Sequence, residues 1–262
     1  MRRIQRLAIP VVALSLFLVA CGSEIDDIDE TTVDTSAEVV TDDTMVDDSA
    51  SAKIDIAALG LIKEGAITVC TDAPYEPFEF QDEATKEWTG FDMDLMKVIA
   101  TNIGDLSLEV TVQPFDGIWL APKAKTCDLV ASAMTINEER SANALFSDPY
   151  FDADQSLLVR ADDKATLVDL ASLAGKTIAV QTGTTGETYA KENAKDSTVK
   201  SFDEPAAMFL ALEGKQVDAI LQDLPVNGDR QVKEPTKFAL TATFATGEQY
   251  GFALAQDNTT LA

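Results

Sequence analysis

TIAVQTGTTGETYAKENAKDSTVKSFDEPAAMFLALEGKQVDAILQD, residues 177–223, is the stretch whose reading decides the fold. Thr177-Ile178-Ala179-Val180-Gln181 is a short apolar run, as a strand buried on both faces reads. Gly186 to Ala194 reads as a helix, Val199 to Phe202 as a strand, and Glu204 to Glu213 as a helix stopped by Gly214. Val217 to Gln222 is a further strand, and Leu224 to Lys233 a short helix. Strands alternating with helices imply β-α-β units, hence parallel strands with helices on both faces.

The same alternation runs upstream from Gly65. Ala66 to Thr71 reads as a strand and Asp92 to Gly104 as a helix, with Asp92 as its cap and Leu95, Ile99 and Ile103 on one face. Leu108, Val110 and Val112 alternate as a strand does. Asp116 to Lys125 is expected as a helix, Asp128 to Ala133 as a strand, Glu138 to Leu145 as a helix and Gln155 to Val159 as a strand. Phe238 to Thr243 and Tyr250 to Leu254 close the series as strands. Two such sets after position 55 predict two small α/β lobes rather than one sheet.

The N-terminus has a different character. Met1-Arg2-Arg3-Ile4-Gln5-Arg6 is cationic, and Leu7 to Ala20 is apolar but short of the roughly 20 residues a membrane span needs. The run ends in Leu18-Val19-Ala20-Cys21-Gly22, an order that resembles a bacterial lipoprotein signal, with Cys21 as the lipidated residue. An uncleaved anchor is the alternative. Either way the chain is expected to be exported and held at the outer face of the cell membrane, in a periplasm or at a cell surface. Residues 21–55 are then an acidic tether: positions 22–55 carry twelve acids against Lys53 and few bulky apolar groups, too little to bury against chain entropy.

The whole chain carries a net charge of -25, and the part beyond the tether is acidic too, which argues against nucleic acid as a partner. There is no histidine, so Ser-His and Cys-His catalysis are excluded and the commonest metal ligand is missing. No catalytic constellation, metal site or cofactor is expected. Cys70 and Cys127 are the cysteines besides Cys21. An exported compartment permits a bridge between them. Their placement, late in one strand and just ahead of another, sets them diagonally and counts against it, so the pairing stays open at this level.

Four segments place polar groups at the carboxyl ends of expected strands, where open α/β sheets hold ligands. Thr71-Asp72-Ala73-Pro74-Tyr75-Glu76-Pro77-Phe78 is a stiff loop, or an ordinary Pro-rich turn. Ser132-Ala133-Met134-Thr135 leads to Arg140, whose planar fork suits a carboxylate, although a lone Arg is often a surface residue. Gln181-Thr182-Gly183-Thr184-Thr185-Gly186-Glu187 opens a helix whose free N–H groups favour an anion, or is a plain N-cap. Asp223 ends an apolar strand and needs a partner, either an internal cation or a ligand ammonium. Together, Arg140 with a helix N-terminus could hold a carboxylate, Asp223 an ammonium, and Tyr75 and Phe115 the apolar part between. That is what an α-amino acid requires.

The chain resembles the extracytoplasmic solute-binding proteins of amino-acid ABC transporters, the group that binds polar amino acids. The resemblance runs from Gly65 to about Leu261. It rests on Thr71 to Phe80, Gly90-Phe91-Asp92-Met93-Asp94-Leu95, Phe115-Asp116-Gly117-Ile118, Met134-Thr135-Ile136 with Glu139-Arg140, Phe146 to Tyr150, Gln181 to Gly186, and Asp218-Ala219-Ile220 leading to Asp223.

The resemblance implies a two-lobed periplasmic-binding-protein (Venus flytrap) fold. Each lobe would be a mainly parallel sheet flanked by helices, with two strands crossing between lobes near Asp152–Gln155 and Gly247–Phe252. It sets a signal peptide at 1–20, lobe 1 at 56–154, lobe 2 at 155–248 and a return to lobe 1 at 249–262, where the family usually continues into a further helix. It also implies roles. Arg140 grips the ligand carboxylate with the backbone at Thr185, while Asp223 grips the ammonium with Ser132, Ala133 and Thr135. Asp72, Tyr75 and Phe115 line the side-chain region, and Gln181 faces it from the other lobe. Ala133 has no hydroxyl, so only its backbone can take part.

The implied function is capture of a free L-amino acid, polar or basic, by lobe closure, and its delivery to ABC permease subunits by a monomeric receptor. The rivals are a sensor module for a signalling partner and a dehydratase-type enzyme on the same fold.

Overall fold

A computed structural model describes residues 54–262. The expected signal peptide, Cys21 and nearly all of the tether lie outside the described residues. No helix of the described residues is long and apolar enough to cross a membrane.

The first half of the chain forms β1 (Ala66–Thr71), β2 (Phe80–Gln81), β3 (Trp88–Thr89), α1 (Phe91–Gly104), β4 (Ser107–Val112), β5 (Leu129–Val130), α2 (Glu138–Ser141) and β6 (Leu145–Phe146). It continues with β7 (Phe151–Arg160), β8 (Thr177–Gln181), α3 (Thr185–Asn193), β9 (Thr198–Phe202), α4 (Pro205–Glu213), β10 (Ala219–Asp223), α5 (Leu224–Lys233), β11 (Phe238–Tyr250) and β12 (Ala253–Leu254).

Two five-stranded sheets result, in the orders β4-β1-β5-β12-β6 and β11-β7-β10-β8-β9. Each has a parallel three-stranded part, β4-β1-β5 in one and β10-β8-β9 in the other. Each is extended by two antiparallel strands, so both sheets are mixed. The chain passes from the first sheet to the second between β6 and β7 and returns between β11 and β12. The crossing points expected at 152–155 and 247–252 fall in β7 and at the end of β11, which pair antiparallel with each other.

Alternation along the strands supplies both faces of each sheet. Ile67, Val69 and Leu129 pack on Met93, Met96 and Ala100 of α1, while Cys70 and Val130 face Phe115, Ile118 and Met134. In the second sheet Leu157, Val159, Ile178 and Val180 pack with Ala190 of α3. Leu158, Ala179 and Ile220 face Met208, Phe209 and Leu212 of α4. Between the sheets Tyr75, Phe78, Ala133, Ala153, Val226 and Tyr250 form a smaller cluster.

Several expected elements differ. The helix expected over Asp116–Lys125 is only a 3-10 turn, Ile118–Leu120, followed by turns. Gly117 before it and Lys125 after it both have positive φ, and Pro122 supplies no N–H, so a regular helix does not propagate. The strand expected over Asp128–Ala133 pairs only at Leu129–Val130, and Ala133 turns away with φ +42°. The helix expected to Leu145 ends at Ser141, which frees Leu145–Phe146 to pair with β12.

A disulfide joins Cys70 and Cys127, with Cα atoms 5.7 Å apart. The register does set the two diagonally, with Cys70 opposite Val130, but their Cα atoms still come within bridging distance. The chain ahead of β5 is coiled in successive turns rather than extended, and this brings Cys127 beside β1.

Gly90, which opens α1, sits at φ +106°, and a Cβ there would lie 2.3 Å from the Phe78 carbonyl oxygen. The following amides donate to the carbonyls of Pro77 and Phe78 at 3.0 Å. Gly90→Ala is therefore expected to cost about 3 kcal/mol or more. The check is a lowered urea midpoint with an unchanged slope; stability within about 0.5 kcal/mol of wild type would mean that this close approach is not needed.

Candidate functional site

All ten side chains singled out from the sequence line one narrow cleft. Their placement follows from strand ends. Asp72 and Tyr75 leave the carboxyl end of β1, Phe115 follows β4, and Ser132, Ala133 and Thr135 follow β5. Arg140 lies in α2. From the second sheet come Gln181 at the end of β8, Thr185 at the start of α3 and Asp223 at the end of β10. Glu79 and Thr184 line the same cleft and were not among the residues expected.

Arg140 is 3% exposed. Asn137 caps its short helix, accepting from the Arg140 amide at 2.9 Å. The guanidinium lies 5.1 Å from the Phe115 ring centre and 5.2 Å from that of Trp119. It donates to the Thr135 carbonyl at 2.7 Å and to the Gly183 carbonyl of the other lobe at 3.2 Å. No carboxylate of the described residues is within salt-bridge reach of it. Burial lowers its pKa, offset by the more distant charges of Asp223 and Glu248. It is a buried cation facing a cleft with no anion in contact.

The opposite charge is abundant. Asp223 accepts from Tyr75 Oη at 3.2 Å, from Gln155 Nε2 at 2.5 Å and from Tyr250 Oη. Burial, with the charge of Glu248, raises its pKa to about 6. Asp72 accepts from Gln181 Nε2 of the other lobe at 2.5 Å, and burial raises its pKa to about 6 as well.

Glu79 is fully buried, and burial together with Asp92 pushes its pKa well above the usual carboxylate range. One of its oxygens accepts from Ser132 at 3.1 Å, while the other has no donor. Behind it, Asp92 accepts from the Ala133 amide and from Tyr150 Oη, each at 2.8 Å, and burial takes its pKa to about 7. Asp92 thereby fixes the turn that presents Ala133.

The start of α3 is built for an acceptor. Thr184 caps it, accepting from the Glu187 amide at 3.1 Å, and the first turn carries N–H groups without intrahelical partners. Gly186 lies close to its neighbours: a Cβ there would meet Gln155 Oε1 at 2.8 Å.

Sequence reasoning missed Glu79, Gln155 and Glu248. For Glu79 the local signal was weak, its place directly after the fully buried Phe78. Gln155 and Glu248 carry no comparable local mark.

Bacterial extracellular solute-binding proteins, family 3, match this chain over residues 67–202. The chain is 28% identical to the L-cystine-binding protein TcyJ of Escherichia coli strain K12 over 213 residues, 80% of this chain and 79% of that protein. It is 31% identical to the putative ABC transporter arginine-binding protein 2 of the same strain, over 79% of this chain and 85% of that one. Among solved structures it is similar to the arginine-bound, truncated ArgBP from T. maritima. That similarity has 36% identity and a TM-score of 0.70, covering 75% of this chain and 91% of that one.

Proposed function

The chain belongs to the bacterial extracellular solute-binding proteins of family 3, and from that premise we propose that it captures a free basic L-amino acid by lobe closure and hands it to an ABC permease. The observation that carries this reading is the charge pattern of the cleft: Arg140, buried with no carboxylate of the described residues in contact, against Asp72 and Asp223, with Glu79 as a further acid whose ionisation a ligand cation would favour. A zwitterion uses one cation and one anion. The surplus acids suit a second positive group on the ligand. In this assignment Arg140 and the start of α3 hold the α-carboxylate, and Asp223 with Thr135 and the backbone near Ala133 holds the α-ammonium. Ser132 orients Glu79. Tyr75 and Phe115 flank the side chain, while Asp72, Glu79 and Gln181 meet its distal end. The arginine bound by the T. maritima relative supports this choice of cargo.

The lobes of this reading are residues 56–154 and 155–248, with 249–262 returning to the first. The chain is a non-catalytic monomer, exported through its N-terminal signal and lipidated at Cys21, and the acidic tether gives it reach to the permease.

Closure works as a population shift. A ligand that bridges Arg140 and Asp223 binds the closed state selectively, and drying the cleft strengthens its charge-assisted hydrogen bonds.

The test is a thermal-shift and calorimetric screen of the full chain against the twenty amino acids, ornithine, citrulline and cystine. A ligand at a hundred times its dissociation constant adds about 2.7 kcal/mol, a shift of several degrees for a protein of this size. Arginine, lysine or ornithine is expected to give the largest shift, with citrulline well behind arginine and the ligand recovered unchanged. A best response to glutamate would overturn the charge argument, and flat curves from a cooperatively melting protein would overturn the binding function.

A further inference from the structure

Glu248 lies on β11, on the same side of the strand as Tyr250, where the strand passes between the two lobes. Its position depends on a local irregularity. The pairing of β11 with β7 slips between Phe244 and Glu248. The loosened residues are held by Asp154, whose carboxylate accepts from the amides of Thr246 at 3.0 Å and Gly247 at 3.1 Å. Gly247 takes φ +65°, a conformation that glycine adopts readily. A bulge of this kind re-aims the side chain that follows it. Here it directs a carboxylate to the junction of both lobes.

Three donors converge on that carboxylate. One oxygen accepts from Thr135 Oγ1 at 2.7 Å and from Thr185 Oγ1 at 2.6 Å. The other accepts from Gln155 Nε2 at 3.0 Å, and the same amide donates to Asp223. Thr135 follows β5 in the first lobe, Thr185 opens α3 in the second, and Gln155 is on β7. Thus one hinge residue is bonded to both lobes at once, through hydroxyls that also line the cleft. A carboxylate accepts and never donates. Both hydroxyl protons therefore point at Glu248; Thr185 Oγ1 also accepts from Gln155 Nε2 at 3.4 Å, while Thr135 Oγ1 keeps its lone pairs to accept.

We propose that Glu248 is a positioning residue for ligand capture: it takes the hydroxyl protons of Thr135 and Thr185, one from each lobe, and so fixes Thr135 as an acceptor toward the cleft and ties the hinge to the closed arrangement. The inference rests on the amino-acid-binding reading of the cleft and adds to it a residue that does not itself line the cleft. An acceptor hydroxyl at Thr135, lining the cleft with Asp223, suits an ammonium. The link through Gln155 to Asp223 sets the second acceptor in the same network.

The experiment measures affinity by calorimetry and dissociation rate by stopped-flow tryptophan fluorescence, on the full chain with L-arginine as probe. L-glutamine replaces it if arginine gives no heat. Glu248→Ala and the isosteric Glu248→Gln are both expected to bind at least tenfold more weakly, through faster dissociation, with the ligand-free melting temperature little changed. Glutamine has one acceptor oxygen: with it on the two hydroxyls its NH2 meets Gln155 Nε2, donor against donor, and turned round the NH2 meets the hydroxyls, so shape alone does not rescue binding. Thr135→Val added to Glu248→Gln should cost little more than either change alone, because both remove one unit.

Wild-type affinity in Glu248→Gln, or fully additive losses in the double variant, would overturn the role. Should the alanine variant fail to fold, the glutamine variant still decides the matter. Failure of the wild type to bind either amino acid would instead bring down the binding function, and the role of Glu248 with it.

Discussion

Arg140→Ala is expected to weaken amino-acid binding at least a hundredfold. The guanidinium is 3% exposed, between the rings of Phe115 and Trp119, and its other contacts are two backbone carbonyls. With the arginine gone, a ligand carboxylate in a closed cleft loses its only countercharge, and Asp223 across the cleft adds repulsion. Breaking one side of a buried charge pair typically costs about 3–5 kcal/mol, and each 1.4 kcal/mol is a factor of about ten in affinity. Arg140→Lys should recover little of the loss, because a point charge on a flexible stem replaces a planar fork packed against two aromatic rings. Calorimetry with the best ligand of the wild type is the measurement, with a melting curve to establish folding. Near-normal affinity in a folded Arg140→Ala variant would remove the carboxylate-gripping role.

Acidification from pH 7.5 to 5 is expected to weaken binding of a basic amino acid by about a hundredfold while stabilising the ligand-free protein. Asp72 and Asp223 are both raised to about 6 by burial. To meet positive groups they must be ionised, which at pH 5 each is only about a tenth of the time, a factor of about ten per group.

Stability moves in the opposite direction. With Asp92 at about 7 these three carboxyls hold protons more firmly in the folded chain than in the unfolded one, whose carboxylates titrate near 4. Where the folded state binds more protons, stability falls as pH rises. The ligand-free protein therefore gains stability as pH falls from about 7 to about 4, and below that the gain is complete. Calorimetric titrations and melting curves at pH 7.5, 6 and 5 follow the two trends separately. Affinity that stays level across this range would mean that neither carboxylate meets a cation in the complex.

Much of the site was legible because α/β sheets present ligands at strand ends, and strand ends are marked in the sequence by where an apolar run stops. Asp72, Gln181 and Asp223 follow that rule directly, and Arg140 and Thr185 lie in the first turn of the helices that come next. What stayed hidden depends on partners distant in sequence. Glu79 is turned inward by its bridge to Tyr75 and its bond to Ser132. Glu248 depends on a bulge that Asp154, 94 positions earlier, holds in place. The missing helix near Pro122 was readable from the proline itself, had its lost N–H been weighed against the apolar pattern. The Cys70–Cys127 bridge was not, because it depends on the turns before β5.

The two sheets differ in how much chain each needs before it is complete. All five strands of the second come from residues 151–250 in one uninterrupted stretch. The first needs β12, which fits between β5 and β6 and hydrogen-bonds to both. As the polypeptide leaves the ribosome, the lobe begun first is therefore the lobe finished last. A nascent chain halted after residue 146 and before residue 253 presents β5 and β6 as bare edges, the kind of surface on which neighbouring chains add strands. For this architecture premature termination is an aggregation hazard that lies in the early half of the molecule, although the missing piece belongs to the end.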